Sequence, residues 1–117
     1  MTLEKFLYTA LDLGWDVKFD SRSSLVYITN GKKFLEDDDE EFTIHVPYPK
    51  KPGIEFDYAS YVEERLMYCD KDYSVWLNMN VTPETGDPTS WYTRVAANMI
   101  ECREDIAHLL EALRKNN

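Results

Sequence analysis

Leu3, Phe6, Leu7, Ala10 and Leu11 recur at helical spacing and are followed by Gly14. This pattern predicts an amphipathic helix over 2–13 whose apolar face covers a sheet. Trp15-Asp16-Val17-Lys18-Phe19 then alternates with period two, as a half-buried strand does. Leu25-Val26-Tyr27-Ile28-Thr29 is rich in β-branched and aromatic residues and predicts a second strand. Asn30-Gly31 tolerates the positive φ of a type I′ turn, so a returning strand is expected over 32–35. Phe42-Thr43-Ile44-His45-Val46 alternates again and is the next strand.

Pro47, Pro49, Pro52 and Gly53 interrupt regular structure. Asp57 can cap a helix that begins at Tyr58 and keeps Tyr58, Tyr61, Val62, Leu66 and Cys69 on one side. Tyr73, Val75, Leu77, Met79 and Val81 alternate, which favours a strand over 73–81. Tyr73, Trp76 and Leu77 also fit a helical turn. Asp87-Pro88 opens a helix that nothing interrupts before Lys115. Tyr92, Val95, Met99, Cys102, Ile106, Leu109 and Leu113 form a heptad seam along it, widened by Ala96, Ile100 and Leu110. Trp91 and Tyr92 read as core. Such a helix would be ~42 Å long. A compact domain of this size is ~35 Å across, so the helix overshoots, bends or packs on a second copy as a homodimer. The expected fold is a single α+β domain over 1–117. Its antiparallel sheet has four or five strands, with the N-terminal and C-terminal helices on the buried face.

Charge changes the picture more than composition does. A hydrophobic fraction of 44% and an aromatic fraction of 14% describe a folding chain of 117 residues. Its formal net charge is −9, and without the consecutive acids Glu36, Asp37, Asp38, Asp39, Glu40 and Glu41 it would be −3. The acidity is therefore a local patch. In an extended segment these charges would lie one per ~3.3 Å, near the ~3.4 Å phosphate spacing of a single DNA strand. Asp12, Asp16, Asp20, Glu55, Asp57, Glu63, Glu64, Asp70 and Asp72 could extend the patch. Such a chain is unsuited to direct binding of nucleic acid or an anionic membrane and suited to a basic protein partner. Cys69 and Cys102 are far apart and read as buried reduced thiols. The N-terminus is unlike a secretory signal, and no apolar run approaches the ~20 residues of a membrane span. A cytoplasmic location is expected.

Candidate chemistry is sparse. His45 and His108 are the only histidines, and no nucleophile elbow surrounds a serine. His45 is expected on the solvent face of a strand and His108 at the polar edge of the last helix. Asp37, Asp39 and Glu41 alternate like calcium-loop ligands, but the glycine and distal glutamate of such a loop are missing, so no metal site is assigned. The glycines are isolated, which leaves no phosphate cradle and no cofactor. The reading is non-enzymatic. Residues assigned to partner binding are Glu36, Asp37, Asp38, Asp39, Glu40 and Glu41, with Trp76 as an aromatic anchor if 73–81 is a strand.

The order of elements carries two resemblances. An acidic β-rich first half, a helix from Asp57, the Tyr73–Trp76 segment and a final helix reading Glu104-Asp105-Ile106-Ala107-His108-Leu109-Leu110-Glu111-Ala112-Leu113 resemble small acidic proteins of phages and integrative elements of Gram-positive bacteria. That class includes anti-CRISPR inhibitors of host nucleases, so the resemblance implies an acidic decoy that occupies a basic nucleic-acid groove. The N-terminal helix, antiparallel strands and long last helix are also similar to small acidic dimeric chaperones of type III secretion systems. This second resemblance implies a homodimer that binds an amphipathic peptide.

Overall fold

The computed structural model describes residues 1–20, 25–34, 41–51, 53–80 and 90–115. Helix α1 spans Leu3–Asp12, strand β1 Asp16–Asp20, β2 Leu25–Thr29 and β3 Thr43–Pro47. Helices α2, Tyr58–Asn80, and α3, Ser90–Lys115, follow. The fold is α+β, as expected.

The ends of α1 are set by local chemistry. The Thr2 side chain caps its start by accepting from the Lys5 amide at 3.3 Å. At its end Gly14 takes φ +91°. The Trp15 amide donates to the Ala10 carbonyl at 3.0 Å and the Gly14 amide to the Leu11 carbonyl at 3.0 Å. That pair of bonds is a Schellman motif, which needs a left-handed residue where Gly14 stands. The chain is thereby turned directly into β1.

The sheet has the order β1-β2-β3 and is antiparallel throughout. Phe19 opposes Val26, which opposes Val46; Val17 opposes Ile28, which opposes Ile44. These residues share the inner face. Val26, Ile28, Ile44 and Val46 are buried in one core with Phe6 and Ala10 of α1 and Val95, Met99, Ile106 and Leu109 of α3. The α3 seam is thus buried from Val95 to Leu113. Ile100 lies at its margin and is exposed, and the side chains of Trp91 and Tyr92 fall outside the description.

Two expectations for the sheet are corrected. Residues 73–80 are not a strand but the last two turns of α2, and residue 81 lies outside the described residues. Tyr58, Val62, Leu66, Cys69, Tyr73 and Trp76 recur at intervals of three and four and all pack into the core, so helical spacing persists through the segment. Arg103 of α3 holds it there, stacking 5.2 Å from the Tyr73 ring centroid and pairing with Asp70. The second correction concerns residues 32–34, which lie outside any strand; residue 35 is beyond the described residues. β2 pairs with β3 instead, so the described sheet has three strands, not four or five.

The last helix does not overshoot its domain, because the domain is itself elongated. Glu63 meets Arg114 at 2.6 Å while Asp70 meets Arg103, so α2 and α3 run antiparallel. At 26 residues α3 is ~39 Å long. The molecule measures 55 × 31 × 21 Å, so only its long axis exceeds the length of that helix. A radius of gyration of 16.1 Å exceeds the ~13 Å of a compact domain of this length.

Candidate functional site

Two phenylalanines flank the acidic run, Phe34 one residue removed across Leu35 and Phe42 directly after Glu41. Phe34 and Phe42 are both buried, and their ring centroids lie 5.7 Å apart. The Phe42 amide donates to the Lys32 carbonyl at 2.7 Å, and the Arg65 guanidinium of α2 sits 4.5 Å over the Phe42 ring. The two flanking rings are therefore clasped together and seated on the core. Like charges in series resist being brought close. Burial of the two flanking aromatic rings offsets part of that repulsion.

The turn after β2 completes the clasp. Gly31 has φ +75°, as the Asn30-Gly31 pair predicts, but the turn leads to α3 and not into a hairpin. Asn30 accepts the Lys32 amide on Oδ1 at 3.1 Å and donates Nδ2 to Asp105 Oδ2 at 2.9 Å. Its Nδ2 also lies 3.5 Å from Cys102 Sγ. Lys32 Nζ donates to the same Asp105 oxygen at 3.0 Å and lies 3.7 Å from Glu101. Its pKa is raised, chiefly by the hydrogen bond to Asp105, which with the charges of Asp105 and Glu101 outweighs the opposing effect of burial. Lys32 is thus drawn away to α3.

Of the assigned carboxylates, Glu41 is described and 36–40 lie outside the described residues. Glu41 is exposed, and its Oε2 accepts from the buried Thr29 hydroxyl at 3.3 Å. Among the described residues no lysine or arginine pairs with it. Several of the more distant acids are engaged internally. Asp70 pairs with Arg103 and Glu63 with Arg114. Asp57 caps α2 through Ser60, whose amide and hydroxyl hold its pKa below the usual carboxylate range. Trp76 is half-buried and packed against the core beneath α3, which removes the strand geometry that would have turned it outward.

His45 is exposed on the outer face of β3, 5.2 Å from the Tyr27 ring, and His108 is exposed on α3. Cys69 and Cys102 are buried and free. Burial raises the Cys69 thiol to about 11 and raises Cys102 as well, against the hydrogen bond from Asn30. Among the described residues no group of three or more His, Cys, Asp or Glu side chains could hold a metal ion. None of the described helices is long and apolar enough to cross a membrane.

Phe34, Phe42, Arg65, Asn30 and Asp105 were not singled out by sequence. The signal for the clasp was a phenylalanine at each end of an acidic tract. The Asp105 contact had none, because 75 positions separate it from Asn30. No family model, curated protein or solved structure matches the chain.

Proposed function

We propose that this protein is a non-enzymatic acidic inhibitor, of the kind carried by phages and mobile elements, that occupies a basic nucleic-acid-binding groove on a host defence nuclease. The observation that carries the reading is the clasp. Phe34 and Phe42, which flank a tract of six carboxylates, pack together on the core, and Lys32 pairs with Asp105 of α3. Fixed ends lower the ordering penalty of binding, and clustered negative charge steers a cationic partner. The bound groove is one whose Lys and Arg otherwise hold phosphates. Glu36, Asp37, Asp38, Asp39, Glu40 and Glu41 make the contact, with the cytoplasm as its setting.

The test is a charge-neutral series, Asp37→Asn, Asp38→Asn, Asp39→Asn and Glu40→Gln together, assayed for capture of nucleases from a panel. Folding should be retained, binding lost, and wild-type binding should weaken steeply as salt is raised. Unchanged capture by the neutral variant defeats the reading.

A further inference from the structure

Two sheet edges and several exposed apolar side chains remain outside the decoy reading, and one edge has features that select its occupant. Among the described residues β1 pairs with β2 alone, and none pairs with the backbone groups of its other edge. No proline interrupts it. Phe19 belongs to the inner, core-facing side of the sheet by its register with Val26, yet it is 62% exposed while Val26 is fully buried. Tyr48 meets it edge-on at 6.2 Å and is itself half exposed. Alternation aims this aromatic pair at the core, and the molecule's own helices leave its corner uncovered.

We propose that β1 pairs antiparallel with β1 of a second copy around Val17, joining two three-stranded sheets into one of six strands. Charge selects both the occupant and the register. Asp16 and Lys18 are exposed on the outer face of β1. Pairing centred on Val17 sets Asp16 opposite Lys18 of the second copy, and Lys18 opposite Asp16 of the second copy. The same pairing sets the exposed Phe19 opposite the position just before β1 of the second copy, where the buried Trp15 stands. Centring on Lys18 would oppose lysine to lysine, which is unfavourable. An arbitrary strand would meet the edge without this reciprocal match. The consequence is a particle carrying two acidic tracts related by a two-fold axis. The inference does not depend on what those tracts bind.

Sedimentation velocity over a wide range of concentration tests it. Wild type should reach a dimer as concentration rises. Lys18→Asp should raise the dimer dissociation constant roughly tenfold or more, and the exchanged pair Asp16→Lys with Lys18→Asp should restore it. Val17→Cys, lying on the axis, should give a covalent dimer on mild oxidation, whereas Thr43→Cys on β3 should not; Cys69 and Cys102 are buried and add little background. Each variant is checked by circular dichroism. If Lys18→Asp fails to fold, Phe19→Asp at its open position supplies the same test and should give a monomer. A wild-type monomer at every concentration, a dimer indifferent to these changes, or tighter pairing by Lys18→Asp would each overturn the proposal.

Discussion

Lys32 Nζ and Asp105 Oδ2 lie 3.0 Å apart and join the turn after β2 to the middle of α3. Asn30 Nδ2 donates to the same oxygen, so one carboxylate gathers two donors from a three-residue turn. Asp105→Ala should lower stability by about 1 kcal/mol, since the groups are partly solvated and the pair is screened. Asp105→Asn keeps the shape and one acceptor and should cost less. Urea unfolding of the two variants measures the difference.

Phe42 is the more deeply buried half of the clasp and also supports Arg65. Phe42→Ala should destabilise the fold by about 3–5 kcal/mol. Phe42→Leu preserves most of the volume, loses the cation–π contact, and should fall well below that figure. Equilibrium unfolding ranks the pair.

Tyr58 is 1% exposed, stacked on Phe6 at 4.8 Å and edge-on to Phe56 at 5.8 Å. Its hydroxyl is buried and has no hydrogen-bond partner among the described residues. Removing an unsatisfied polar atom while keeping the ring should be neutral or stabilising by up to about 1 kcal/mol. Tyr58→Phe should therefore match or exceed the wild-type melting temperature. A clear loss would mean that the hydroxyl has an acceptor.

Alkaline pH should weaken the fold. Burial raises the Cys69 thiol from 9.0 to about 11, so the folded state resists forming a thiolate that the unfolded chain forms readily. Cys102 is raised as well, chiefly by burial, and Lys32 above 10.5 by its bond to Asp105. In all three the folded state holds its proton more tightly. The stabilisation is complete below about pH 9 and declines as pH rises toward the folded values. Melting temperatures between pH 8 and pH 11 should fall, and less steeply in Cys69→Ala.

The legible parts of this fold were those whose signal repeats over many residues. The α3 seam from Val95 to Leu113 sustains its period for five turns, and packing obeyed it. Gly14 was legible as a stop because a Schellman end demands a left-handed residue there. The segment from Tyr73 was not legible. Alternation over a few residues fits a strand, and only the contacts of Asp70 and Tyr73 with Arg103 decide for helix. Asn30-Gly31 gave its turn but not its destination, which depends on Asp105 in a distant helix. Of the candidate site, the charge was plain in the sequence and its mooring was not. Glu41 lay where expected, on the surface beside β3, whereas Trp76 followed its helix inward.

Pinning Phe34 against Phe42 holds together the two flanks of the segment between them. Loop closure entropy grows slowly with length, so doubling the intervening segment would cost only about 0.6 kcal/mol. A longer segment between the two rings is therefore expected to cost the fold little stability. The scaffold beneath them can stay as it is.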